Sequence, residues 1–178
     1  MPRIFIIGPG GVGKTTAGGE LARLLGCPLL DLDQEFMARI GDIGGVIQDQ
    51  GYLRYVELNA ALFATLVEDL SETAVVPLSS GFLARETPPG LLAANQAGVR
   101  ATGTSIRLLP CEDLEAATRI VVARQLGRGI GLEPEREAAK FPRRFADYLD
   151  QGDIRIFSTA GPAEIAAEMA RALGLTRS

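Results

Sequence analysis

Short apolar runs alternate along the chain with longer stretches in which apolar residues recur at helical spacing. Such alternation is the pattern of a parallel sheet covered by helices. Arg3–Ile7 is predicted as the first strand, Lys14 to Leu25 as the first helix, and Pro28–Leu32 as a second strand ending in acidic residues. From Phe36 to Asp69 the pattern is helical, interrupted near Gly41–Gly45, with Tyr52–Leu70 the clearest helix. Ala74–Leu78 and Ser105–Leu109 are predicted as strands three and four, with a short helix from Pro88 between them. Helices follow at Leu114–Leu126 and Glu135–Leu149, then a fifth strand at Ile154–Phe157 and a closing helix at Ala163–Leu173. Between the two middle helices, Gly127–Pro134 carries three glycines and a proline, which break any regular element and predict a mobile segment. The prediction is one α/β domain over residues 1–178, with a five-stranded parallel sheet and helices on both faces.

Composition narrows the chemistry. At 178 residues and 47% apolar content the chain can bury one full core, which excludes disorder. No apolar run approaches the ~18–20 residues that cross a membrane. Met1 leads straight into a strand, with no basic segment and apolar stretch after it, so no secretory signal is expected and the cytoplasm is the expected compartment. Cys27 and Cys111 are far apart and lack metal-ligand spacing, so they read as two thiols in a reducing environment. Histidine is absent, which excludes an imidazole base and leaves carboxylates, lysine and backbone groups to do any chemistry. A net charge of −4 gives no nucleic-acid footprint, so any anion must be met by local positive charge. Nothing marks a partner-binding surface, and a monomer is the expectation.

Local positive charge is supplied near the start. Gly8-Pro9-Gly10-Gly11-Val12-Gly13-Lys14-Thr15 fits the G-x-x-x-x-G-K-[ST] phosphate-loop pattern in full, between a predicted strand and a predicted helix. The backbone around Gly8, Gly10, Gly11, Val12 and Gly13 can turn its N–H groups onto phosphate oxygens, and the helix beginning at Lys14 adds its positive end. Lys14 is expected on the β- and γ-phosphates, the Thr15 hydroxyl on Mg²⁺, and Thr16 beside them. These features predict a nucleotide and Mg²⁺ as ligands, and by themselves they do not separate a kinase from a GTPase, an ATPase or a regulatory switch.

An acidic pair stands at the end of the predicted second strand. In Asp31-Leu32-Asp33, alternate residues of a strand point the same way, toward the sheet edge where ligands bind in open α/β folds. One carboxylate can support Mg²⁺ while the other orients a hydroxyl and takes its proton. The bland alternative is a pair of solvated acids with a helix-capping role.

With these residues in place the chain resembles the shikimate kinases, a family within the adenylate-kinase-like group of P-loop folds. The resemblance runs from the P-loop through Asp31-Leu32-Asp33 and Leu53-Arg54-Tyr55-Val56-Glu57, similar to the family's F-R-x-x-E segment. It continues through Arg144-Phe145-Ala146-Asp147-Tyr148 with Gly152-Asp153, similar to the family's R-x-x-x-Y-x-x-x-A-D run, to the final strand and helix. It implies transfer of a phosphoryl group from ATP to the 3-hydroxyl of shikimate. Asp33 would then be the base, Asp31 would support Mg²⁺, and Arg54 and Arg144 would clamp a carboxylate, with Ser80 and Gly81 lining the acceptor site. A substrate-binding segment over about 34–70 and a lid over about 124–136 are implied as well. Arg128 would be the lid arginine over the phosphates, with Arg124 its rival.

The departures fall around the acceptor. Where the family has a G-G-G turn after the third strand, this chain has Ser79-Ser80-Gly81, and no proline follows Arg124 or Arg128. Other readings are a kinase for gluconate, another hydroxy acid or a nucleotide, and a nucleotide-binding regulatory module without turnover.

Overall fold

The computed structural model describes residues 3–127 and 134–175. Four strands, β1 (Arg3–Ile7), β2 (Ala74–Pro77), β3 (Gly103–Leu109) and β4 (Ile154–Phe157), form one parallel sheet in the order β2-β1-β3-β4. Among the described residues, eight helices connect and cover them: α1 (Lys14–Leu25), α2 (Leu32–Arg39), α3 (Ile43–Gln50), α4 (Tyr52–Asp69), α5 (Pro89–Thr102), α6 (Leu114–Gly127), α7 (Pro134–Tyr148) and α8 (Pro162–Ala172).

Strand periodicity divides the core into two faces. Ile4, Ile6, Ile106 and Leu108 pack on one side with Leu21 of α1 and Met169 of α8. Phe5, Ile7 and Val76 face the other side and meet Phe63 and Leu66 of α4 and Tyr148 of α7. Both faces of β1 are buried, so its run of four apolar residues needs no polar alternation. Phe63 joins this second layer to the chain beyond β2, with ring centroids 5.5 Å from Phe5 and 4.9 Å from Phe82. Among the described residues no helix is long and apolar enough to cross a membrane.

The predicted sheet of five strands is corrected to four. Pro28–Leu32 makes only one isolated bridge, Leu29 to Val75, with Leu30 N donating to Val75 O and Val75 N to Pro28 O. Extension stops because Asp31 caps α2: its Oδ1 accepts from Asp33 N at 3.0 Å and Gln34 N at 3.2 Å. An acceptor side chain that satisfies free helical N–H groups turns the chain out of the sheet. The predicted strand end is therefore a helix start, which Asp31 caps through Oδ1 alone.

The stretch from Phe36 to Asp69 divides into three helices. Breaks fall at Ile40–Asp42 and at Gly51, and Asp42 caps α3 by accepting from Gly45 N at 2.7 Å. Helix α5 is longer than the short helix expected, opening with Pro89 in its first turn, where a missing N–H costs nothing. Arg128, the expected lid arginine, lies outside the described residues, as does most of the glycine-rich stretch around it.

Candidate active site

The carboxyl ends of β1 and β2 and the N-termini of α1 and α2 meet at one edge of the sheet. From β1 the chain passes through Gly8–Gly13 directly into α1, whose first turn carries neither an acidic residue nor a side-chain cap. Its free N–H groups and dipole therefore face the loop uncompensated. Gly13 sits at φ +97°, a conformation that side-chain-bearing residues seldom adopt, and it makes the turn from loop to helix possible.

Lys14 folds back over this loop, with Nζ donating to Gly8 O at 2.8 Å and Pro9 O at 2.9 Å. Burial lowers its pKa from 10.5 to about 8, against the pull of Asp33 and Asp31 and with a further push from Arg144. Those influences bring Lys14, Asp33, Asp31 and Arg144 within electrostatic reach of one another. A cleft of about 170 Å³ lies between the loop glycines, Lys14, the two aspartates and Ser80.

The two aspartates are set apart by α2. Asp31 is buried as its N-cap, and its free Oδ2 accepts from Thr15 Oγ1 at 2.6 Å. Thr15 and Asp31 thus bring two hard oxygen donors together beside the phosphate loop, the donor type Mg²⁺ takes. Asp33 occupies the first turn of α2, and its Oδ1 accepts from Ser79 Oγ at 2.5 Å. Ser79 Oγ in turn accepts from Asn59 Nδ2 of α4 at 3.0 Å. Burial pushes the Asp33 carboxyl above the ordinary aspartate range, opposed by the Ser79 hydrogen bond and the Lys14 charge.

Beyond Asp33 the chain from Ser79 to Pro88 packs against α7. Arg144 and Tyr148 stand one helical turn apart and share a face. Tyr148, fully buried, donates to Ser80 O at 3.2 Å and accepts from Leu83 N at 3.4 Å. Arg144 is also buried, with Nη1 donating to Ser80 Oγ at 2.8 Å and Nη2 to Glu86 Oε2 at 2.9 Å. Tyr52 Oη donates to the same Glu86 oxygen at 3.3 Å. A Cβ on Gly81 would lie 2.7 Å from Tyr52 Oη, so any larger residue here would push the tyrosine hydroxyl aside.

Around the other side of the loop a cavity of about 400 Å³ lies between Val12, Gly13, Thr16, Arg124, Pro162 and Ile165. Arg124 reaches it from α6, with Nη1 3.5 Å from Val12 O and Nη2 3.4 Å from Thr159 O.

The structure thus gathers Lys14, Thr15, Asp31, Asp33, Ser80, Gly81 and Arg144 at one edge and sets Arg124 beside the loop. Arg54 does not join them. It is half exposed on α4 and pairs with Glu57 of its own helix at 3.4 Å, so the expected two-arginine clamp is not assembled in this conformation. Sequence reading missed Tyr52, Asn59 and Glu86. Only Asn59 left a signal, as a polar residue within the buried stripe Tyr55, Val56, Leu62, Phe63, Leu66 of α4.

Comparison with known proteins adds independent findings. A family model described as shikimate kinase matches residues 10–173. The shikimate kinase of Colwellia psychrerythraea is 39% identical over 82 residues, a stretch covering 44% of this chain and 44% of that enzyme. Shikimate kinase 2 of Dickeya chrysanthemi is 29% identical over 181 residues, covering 97% of this chain and 96% of its own. A structure of shikimate kinase from Acinetobacter baumannii in complex with shikimate covers 97% of this chain and 93% of its own at a TM-score of 0.75. Its 22% identity speaks to the shared fold alone. A family match over nearly the whole length, a P-loop with its lysine seated, and a cleft beside it that holds two aspartates lead to one assignment: the chain belongs to the shikimate kinase family.

Proposed function

We propose that the protein transfers the γ-phosphoryl group of ATP to the 3-hydroxyl of shikimate, giving ADP and shikimate 3-phosphate. The observation that carries this reading is the single cleft on which Lys14, Asp33 and Ser80 converge beside the phosphate loop, with Arg144 holding Ser80. A pure nucleotide-binding module has no use for a buried acid and a buried arginine beyond the phosphates.

ATP lies with its phosphates on the Gly8–Gly13 backbone and the α1 N-terminus, and its base in the cavity bordered by Arg124. Lys14 exchanges its two carbonyl partners for phosphate oxygens, a rotation its flexible stem permits. Mg²⁺ would be held by Thr15 Oγ1 and Asp31 together with the nucleotide, and when bound it supplies charge neutralisation at the phosphates. Asp33 accepts the proton of the acceptor hydroxyl as that oxygen bonds to the γ-phosphorus and the bond to the β-phosphate oxygen breaks. Its raised pKa suits a base, because burial makes its charge more eager for a proton. Arg144 receives the acceptor's carboxylate, a planar fork matched to two oxygens. The protein acts as a cytoplasmic monomer in this reading.

ADP release from Mg·ATP tests the proposal, comparing shikimate with gluconate, a panel of nucleoside monophosphates and no acceptor. Shikimate-dependent turnover in the ordinary enzymatic range of ~1–10³ s⁻¹ is expected. Turnover with another acceptor alone would move the assignment to that acceptor, and none above background would overturn it.

A further inference from the structure

We infer that Glu86 is a built-in competitor for the acceptor's carboxylate: it holds the Arg144 guanidinium while the site is empty and is displaced when an acidic acceptor binds. The inference rests on the reading of Arg144 as the acceptor's carboxylate clamp and adds a residue that sets the strength of that clamp.

The argument starts from what each partner can do. The Arg144 side chain is 8% exposed, and that of Glu86 is 31% exposed. A guanidinium so deeply buried needs a partner, and Glu86 gives it one at 2.9 Å while Tyr52 donates to the same carboxylate oxygen. Burial works against the Glu86 charge, but the hydrogen bond and charge of Arg144, with smaller help from Tyr52 and Lys140, hold its carboxyl below the ordinary range. Glu86 is therefore an anion at neutral pH, chemically equivalent to the group that Arg144 would take from a ligand.

The surrounding backbone is fixed, so exchange falls to the side chain. Arg85 N donates to Asp147 Oδ2 at 2.9 Å, and Arg85 Nε pairs with Asp147 Oδ1 at 3.0 Å. Thr87 closes the turn from the far side, with Oγ1 donating to Gly81 O at 2.9 Å and N to Ala84 O at 3.0 Å. Between these anchors the Glu86 side chain has solvent on one side, whereas Arg144 is held by Ser80 Oγ at 2.8 Å. Of the pair, Glu86 is the member free to rotate out. An acceptor carboxylate then replaces it on Arg144, and the net cost is that of releasing a part-exposed acid to water. The chain thereby lowers its affinity for every acid that takes Arg144, so an acid must make other contacts to bind well.

Glu86→Gln keeps the shape of the side chain and removes its charge. Calorimetric binding of shikimate and of shikimate methyl ester, to wild type and to this variant, reads the competition directly. Turnover of shikimate by wild type, followed in parallel, tests the acceptor assignment separately. Removing the competing charge should tighten shikimate binding about fivefold, in line with a part-exposed ion pair. The neutral ester should bind both proteins alike, and unchanged ATP affinity certifies that the variant is folded. Equal or weaker shikimate binding by the variant, or an equal gain for the ester, overturns the inference even if wild type turns shikimate over. A selective gain for the acid with no turnover upholds the competitor and removes shikimate as acceptor. No binding of shikimate by either protein overturns both.

Discussion

Ser79 Oγ donates to Asp33 Oδ1 at 2.5 Å, and the same oxygen accepts from Asn59 Nδ2 at 3.0 Å. The three residues come from the turn after β2, the first turn of α2 and the middle of α4, so a chain of two bonds links the carboxylate through Ser79 to α4. The Ser79 hydroxyl gives Asp33 an orientation that a glycine at this position could not. Ser79→Ala removes that bond and leaves the buried Asn59 amide without its partner. It should lower kcat about tenfold at unchanged KM for ATP, and destabilise the fold by about 1–3 kcal/mol. Ser79→Thr keeps the hydroxyl and should recover most of the lost rate. A full rate in Ser79→Ala, measured by ADP release, would show that Asp33 needs no such orientation.

Lys14 is expected to carry the pH dependence of nucleotide binding. In the empty protein its pKa lies near 8, below the ordinary 10.5, because burial disfavours the ammonium. Between those two values the unfolded chain holds a proton that the folded one has released, so this group adds stability as pH rises through that window. Phosphate binding reverses the preference, since an anion beside Nζ favours the charged form. ATP affinity should therefore fall as pH rises through about 8, and ATP binding at a pH above that value should take up a proton. Calorimetry in two buffers of different ionisation enthalpy measures the uptake; identical heats would contradict it.

The parts of this site that the sequence exposes are those built from consecutive residues. The P-loop is one uninterrupted run, so its lysine, its threonine and its strand–helix setting are legible together. Asp31 and Asp33 are legible as acids, but their setting is not, because one local hydrogen-bonding choice decides between strand and helix. Asp31 makes that choice by accepting from Asp33 N and Gln34 N, and the expected second strand shrinks to one bridge. Glu86, Tyr52 and Arg144 meet only because α7 packs on the turn after β2 while α4 begins beside it. Their separations of 34 and 58 residues leave no periodicity to read.

Tyr148 holds the acceptor side of the cleft together. Its hydroxyl links Ser80 O and Leu83 N from a fully buried ring, tying α7 to the Ser79–Pro88 stretch. Tyr148→Phe keeps the ring and leaves those two backbone groups without this partner. The loss should be about 1–2 kcal/mol, seen as a lower urea midpoint at unchanged slope. Because Ser80 also meets Arg144, KM for the acceptor should rise while KM for ATP stays put. An unchanged midpoint would mean that water replaces the hydroxyl at no cost.

Arg54 and Arg144 differ in how far each is already committed to the site. Arg144 is buried and bonded to Ser80 and Glu86, whereas Arg54 is half exposed in a 3.4 Å pair with Glu57 on its own helix. An exposed pair of that kind is worth at most about 1 kcal/mol. Releasing Arg54 to meet an acceptor carboxylate would therefore cost little, and on the proposed reading it would become the second arm of the clamp only when the ligand arrives. Arg144→Lys should raise KM for shikimate about a hundredfold, since lysine loses the fork and leaves Ser80 or Glu86 unmet. Arg54→Ala should raise it about tenfold, with KM for ATP unchanged in both variants. Initial-rate kinetics at saturating ATP separate the two arms. A wild-type KM in Arg54→Ala would assign the carboxylate to Arg144 alone and leave Arg54 as the surface residue its present contacts describe.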